Sequence, residues 1–241
     1  MKYDSRGFYY SSLFEKDPVF ACFGTRITGD AKNLQTAESL LQQVGVRADR
    51  IVRPIQTHSI TVVNADSIVE DRPDATDGVT TSTPGVALTV ITADCVPVIF
   101  MNTQSSEIGI SHQGWRGLHG NMPREMVRAL SKGGGADSIV TAIGPSIGSC
   151  CYEISAELYS DFTTKYSRLG TSFLHIRGDK HFLSLNNLCY LQLLEAGIAK
   201  DHIDFFPFCT KCDSNRFFSY RRDGDHDKNR MLSIIVTKNS Q

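Results

Sequence analysis

Two apolar runs, each carrying polar chemistry, organise the middle of the chain. Residues 85–100 read GVALTVITADCVPVIF, a Val-, Ile- and Thr-rich pattern that predicts a buried strand with Asp94 and Cys95 set inside it. The next run, IGIS, leads directly into HQGWRG and delivers His112 at its end. Upstream, FYYSSLF and VFACFGTRITG predict two strands joined by an EKDP turn. Residues 34–44 (LQTAESLLQQV) predict a helix closing near Gly45. Short strands follow around 51–55 and 60–63. Helical spacing recurs over 121–130, 156–166 and a segment closing at Gly197, with a strand at 138–144. The last segments, IDFFPFCT, RFFSYRRDG and MLSIIV, predict further strands. Strands and helices alternate through the middle and hairpin-like segments close both ends, which defines an α/β protein with a mixed sheet.

Composition narrows the function classes. The chain has 241 residues, enough for a sizeable core in one domain. Its 25 basic residues balance 26 acidic ones, and no basic stripe stands out, so neither nucleic acid nor a membrane surface is an expected partner. The first residues lack the apolar core of a secretory signal, and no apolar run approaches the roughly 20 residues of a membrane span. Seven scattered cysteines in such a chain predict reduced thiols and a cytoplasmic location.

A carboxylate and a thiol in an apolar run need partners, because burying an uncompensated charge is costly. Cys95 and His112 at strand positions, with His58 in PIQTHSIT, form a candidate metal set. One thiolate with two imidazoles suits zinc and also admits copper. Three protein ligands leave one position open, the arrangement of a catalytic zinc, which lowers the pKa of water to about 7. The ligand spacing matches no compact zinc motif, so a packed or hydrogen-bonded role stands beside the metal role for each residue. Strand alternation turns Asp94 away from Cys95, which casts it as a supporting hydrogen-bond acceptor, with general acid–base work as the alternative. Arg116, after a Gly-Trp turn at a helix start, is a candidate phosphate-binding residue, with surface ion pairing as the alternative. Cys209 and Cys212 form a C-x-x-C, a pattern shared by redox and metal sites, while Cys150 and Cys151 read as packing residues.

TADCVP, HQGWRGL, IGPSIGSCCYEI and FFSYRRDG, in that order, resemble the signature blocks of the YfiH-like family, which is also labelled a laccase domain or multicopper polyphenol oxidase. PIQTHS resembles the family's QVHG block with the glycine replaced, and HQGWRG its HAGWRG block. A stretch that the family carries after FGTRITG is missing here, and HDKNR stands where TGR is usual. The resemblance implies an αββα four-layer sandwich forming a single domain over 1–241. It places metal ligands at His58, Cys95 and His112, and a second phosphate-binding candidate at Arg26, where FGTRITG matches the family's Thr-Arg pair. It also implies zinc-dependent phosphorolysis of purine nucleosides (adenosine, inosine, guanosine or methylthioadenosine) together with adenosine deamination.

Other readings remain open. A metal-free hydrolase would use Cys95 as nucleophile and His112 as base, as in an amidase-like editing enzyme for peptidoglycan precursors. A non-enzymatic ligand-binding protein would use the same pocket without turnover. A copper polyphenol oxidase needs more imidazoles than seven histidines supply when only two lie in the motif blocks. The zinc-deaminase pattern H-x-E with P-C-x-x-C is absent. The sequence leaves the oligomeric state open.

Overall fold

A computed structural model describes residues 1–15, 18–224 and 226–239. The expected EKDP turn falls partly on residues 16 and 17, outside the described residues. The N-terminal half runs β1 (Lys2–Asp4), β2 (Phe8–Tyr10), β3 (Val19–Gly24), α1 (Gln35–Gln43), β4 (Arg50–Val52), β5 (Val62–Asn64) and β6 (Gly78–Thr81). The central strands are β7 (Val86–Thr92), β8 (Val96–Asn102) and β9 (Ile108–Gln113), followed by α2 (Trp115–His119) and α3 (Met122–Leu130). Then come β10 (Ile139–Ile143), β11 (Glu153–Ile154), α4 (Ala156–Lys165), β12 (Leu174–Arg177) and β13 (Lys180–Leu183). The chain closes with α5 (Leu185–Glu195), β14 (Ile203–Phe205), α6 (Tyr220–Asp223) and β15 (Met231–Thr237).

Two six-stranded sheets result, ordered β1-β2-β3-β15-β7-β4 and β14-β10-β8-β9-β6-β5, with a small β11-β13-β12 sheet beside them. Both large sheets are mixed: β4 runs parallel to β7, β5 to β6 and β14 to β10, while the other pairs are antiparallel. Period-two alternation explains the layering. On β8, Ile99 and Met101 face the inter-sheet core, whereas Val96, Val98 and Phe100 face helices. On β15, Met231 and Ile235 enter the same inter-sheet core, and Leu232, Ile234 and Val236 meet Ala37, Leu40 and Leu41 of α1. The outer face of the second sheet packs on Met122, Met126 and Leu130 of α3 and on Leu188 and Leu193 of α5. Helix, sheet, sheet and helices make the four αββα layers. Each fully buried Leu, Ile or Phe side chain contributes about 1.5–3 kcal/mol to holding them. No helix among the described residues is long and apolar enough to cross a membrane.

Two expectations fail, each for its own reason. The run 85–100 is two strands in two different sheets, not one, and Ala93, Asp94 and Cys95 form the corner between them. Asp94 makes that corner with φ +90°, a conformation that a non-glycine residue rarely holds. RFFSYRRDG is a loop leading into α6, where Ser219 Oγ accepts the Arg222 N–H at 3.2 Å, so Arg221 and Arg222 belong to a helical turn.

Candidate metal centre

The corner between the sheets gives Cys95 its position. β7 and β8 diverge there, leaving the thiol half-buried at the strand ends. Ile147 N–H holds the Asp94 carbonyl at 2.9 Å. The Asp94 carboxylate accepts from Thr210 Oγ1 at 2.6 Å and from Arg221 N–H at 2.7 Å. Asp94 therefore anchors the corner to the C-terminal loops.

His112 lies on β9, beside β8 and in register with Pro97. The residue is 4% exposed. His58 sits on the loop between β4 and β5 with φ +63°, the left-handed region. Such strain persists only where the surroundings over-determine it, and Asp77 supplies that constraint. Asp77 is completely buried. Its carboxylate accepts the backbone N–H groups of Thr57, His58 and Ser59 at 3.1, 3.1 and 2.7 Å and the Ser59 hydroxyl at 2.8 Å. The same carboxylate lies 2.7 Å from His112 Nδ1. One buried residue thus sets the His58 loop and the His112 ring together, and leaves His112 Nε2 for a metal. Sequence reasoning missed Asp77; its only signal is an Asp immediately before the strand GVTT.

Candidate ligand atoms of His58, Cys95 and His112 lie within 4.8 Å of one another. Cys95 Sγ is 3.7 Å from His58 Nε2, and the two imidazoles meet edge to face with centroids 4.8 Å apart. Burial pushes the Cys95 thiol up, but the charge of His112 and hydrogen bonds from both histidines outweigh it and bring the thiol down to about 6. Burial likewise opposes charge on His112, yet Cys95 and Asp77 raise it to about 9. A thiolate-forming sulfur and two convergent imidazoles, one with its second nitrogen fixed by a carboxylate, are a donor set that fits a borderline-soft divalent metal.

Gly114 touches this centre. A Cβ there would stand 2.5 Å from His58 Cδ2 and 3.1 Å from Cys95 Sγ. Gly114→Ala is therefore expected to splay the ligands and to lower metal affinity about tenfold or more, read by competition with a chromogenic chelator.

The centre opens on a cavity of about 540 Å³, large enough for a nucleoside-sized ligand. Lys32, Arg53, Arg72 and Arg230 line it, and no carboxylate does among the described residues. Arg53 is 9% exposed and donates to the carbonyls of Ala31 and Lys32; burial and the neighbouring Arg72 charge lower its pKa. Thr92 Oγ1 is buried on the same wall without a partner among the described residues. Tyr220, 51% exposed, also lines the cavity, with the Arg230 guanidinium 5.9 Å from its ring centroid. The two arginines singled out from sequence lie elsewhere. Arg26 reaches Asp227 at 3.5 Å and stacks on Phe218, and exposed Arg116 lies over the Trp115 ring at 4.4 Å. Neither lines the cavity.

Fold and site together define a four-layer α/β protein with a His–Cys–His cluster, able to hold a metal ion, on the wall of a cationic cavity. The chain belongs to the YfiH family, described as multi-copper polyphenol oxidoreductase laccase, whose model matches residues 22–238. It is 33% identical over 172 residues to a purine nucleoside phosphorylase of Xylella fastidiosa, covering 70% of this chain and 65% of that protein. The chain thus spans just under two thirds of the length of that relative. An adenosine deaminase from an unknown prokaryotic organism is 32% identical over 197 residues, covering 77% of this chain and 75% of the relative. The crystal structure of the hypothetical protein YfiH from Bacillus licheniformis superposes with a TM-score of 0.87 at 25% identity, covering 98% of both chains.

Proposed function

We propose that this chain, over 1–241, is one zinc-dependent catalytic domain that phosphorolyses purine nucleosides and deaminates adenosine. The observation that carries the reading is the junction of two features: the His58–Cys95–His112 set and the cationic wall of Lys32, Arg53, Arg72 and Arg230 in one cavity. The names of the relatives support both activities. In phosphorolysis a phosphate oxygen bonds to ribose C1′ as the C1′–N9 bond breaks, and the purine leaves with its electron pair and takes up a proton. In deamination water adds at C6 and ammonia departs.

A bound zinc ion would supply Lewis-acid polarisation and an activated water. His58, Cys95 and His112 would hold it, and Asp77 would keep His112 in the tautomer that presents Nε2. Arg53 and Arg72 orient phosphate by charge-assisted hydrogen bonds, with Arg53 pre-set by the Ala31 and Lys32 carbonyls. Tyr220 offers a stacking face for the purine, and Thr92 Oγ1 an unused hydrogen-bonding group on the same wall.

Only phosphorolysis uses the anion, so a cationic-wall variant separates the two activities. Arg72→Gln is expected to raise the KM for phosphate roughly tenfold to a hundredfold, the worth of one charged hydrogen bond. Adenosine deamination should stay within about twofold. Equal loss of both activities, in initial-rate assays of each, would count against the phosphate role.

One observation favours a second reading. Asp77, His112 and Cys95 lie in the order of an orienting carboxylate, a base and a thiol nucleophile. After metal removal, Cys95 alkylation by iodoacetamide should rise with a midpoint near pH 6 instead of the ordinary thiol range. Added zinc should suppress it across that range. Turnover that persists in the stripped protein and is abolished by alkylation would favour the hydrolase.

A further inference from the structure

A second sulfur cluster lies apart from the His–Cys–His set. Parallel pairing of β10 with β14 carries the turn after one strand alongside the loop after the other. Ser146 bridges Cys209 there, and Thr210 N–H donates to the Ser146 carbonyl at 3.0 Å. Cys150 and Cys151 on the turn thereby meet Cys209 and Cys212 on the loop, roughly sixty residues later in sequence. All four sulfurs lie within 4.8 Å of one another. Cys150 Sγ is 3.6 Å from Cys212 Sγ, and Cys151 Sγ is 3.4 Å from it.

These separations discriminate between roles. Sulfurs at about 2.3 Å from a tetrahedral zinc stand about 3.8 Å apart, whereas a disulfide requires about 2.05 Å. Packing does not account for the cluster either, because Cys150 and Cys212 are exposed. The backbone is arranged for negative sulfur. Gly148 N–H donates to Cys209 Sγ at 3.2 Å, and the N–H groups of Lys211 and Cys212 also point at that atom. A Cβ on Gly148 would come within 3.2 Å of both Cys150 Sγ and Cys209 Cβ, so a side chain there would crowd the cluster. Backbone donors converging on one sulfur of a C-x-x-C stabilise a thiolate that is committed to a metal.

We propose that Cys150, Cys151, Cys209 and Cys212 bind one zinc ion as a closed, structural four-thiolate site. Four thiols release four protons as the cation binds, leaving a site charge of −2. Arg177, bonded to the Ser149 carbonyl, stands nearby to offset part of that charge, while Arg222, bonded to the Thr210 and Lys211 carbonyls, is already paired with Asp223 at 2.7 Å. With every position filled by protein, no coordination site is left for substrate. The ion's role is to staple the 209–212 loop to the turn after β10. Thr210 on that loop holds Asp94, so the staple also braces the corner that presents Cys95.

Metal stoichiometry tests this without any assay of turnover. The full chain is purified untagged under reducing conditions, and zinc is counted by elemental analysis. Wild-type protein is expected to hold two zinc ions per chain, Cys95→Ala one, and Cys212→Ser one with a lowered Tm. One zinc in the wild type that survives Cys95→Ala and disappears in Cys212→Ser would support this site while counting against the first. Should Cys212→Ser not fold, cobalt substitution of Cys95→Ala provides the second readout. Intense visible bands with near-ultraviolet thiolate-to-cobalt charge transfer are expected for four thiolate ligands. A folded Cys95→Ala protein that binds neither zinc nor cobalt overturns the proposal. So does a mass lower by two or four hydrogens under the same reducing conditions, which would make the cluster a disulfide centre.

Discussion

Cys95→Ala is expected to strip metal from the His58–Cys95–His112 centre and to lower phosphorolysis and deamination together. The thiol is the only anionic ligand of the three, and it stands at the sharp turn between β7 and β8, with no further His, Cys, Asp or Glu joining the set among the described residues. Metal polarisation of a reacting group is worth several kcal/mol, which corresponds to a loss on the order of a thousandfold in kcat/KM. The fold should survive, because Asp94, not Cys95, carries the hydrogen bonds that hold the corner. Elemental analysis and nucleoside assays on the folded variant check both halves. Retained turnover would separate catalysis from this centre.

Asp77→Ala is expected to damage stability and metal binding at once. Its carboxylate is the acceptor for three backbone N–H groups, the Ser59 hydroxyl and the His112 ring. Removing it strands the His112 ring donor in a buried site, at a cost of about 3–5 kcal/mol, and leaves the part-buried donors of the His58 loop to water. Asp77→Asn keeps the volume, but its amide opposes a donor with a donor in at least one contact, and metal affinity should fall 10–100-fold, taking about that range as the worth of a residue behind a ligand. The acid limb follows as well. Burial raises the Asp77 carboxyl, but the His112 hydrogen bond and charge and the Ser59 donors outweigh it and depress the group to about 2. A depressed carboxylate contributes stability that is complete above the ordinary carboxylate range and is lost as pH falls toward 2. Thermal melts between pH 5 and pH 2 should therefore show a shallower acid decline in Asp77→Asn than in the wild type, from a lower starting Tm.

What the sequence made legible follows from periodicity and from polar residues out of place. Helical spacing at 34–44 and 121–130 matches α1 and α3, and the apolar runs are strands. Cys95 and His112 stood out because a thiol and an imidazole interrupted or ended such runs. The crossing from one sheet to the other at Asp94 was hidden because both halves of the run are buried, so no change of pattern marks the corner. FFSYRR read as a strand because its aromatics suit one, yet the Ser219 cap starts a helical turn there. The cationic wall draws Lys32, Arg53, Arg72 and Arg230 from four segments, each of which is ordinary surface charge until the fold gathers them. Asp77 was invisible for a similar reason: it follows a turn-rich stretch, where an Asp ordinarily serves only the turn.

The most direct test of the central claim incubates zinc-loaded protein with adenosine, with and without phosphate, and separates the products by chromatography. The account predicts inosine in both reactions, and free purine base with ribose 1-phosphate only where phosphate is present. Folded, zinc-loaded protein that leaves adenosine unchanged in both, or that releases base without phosphate, would contradict it.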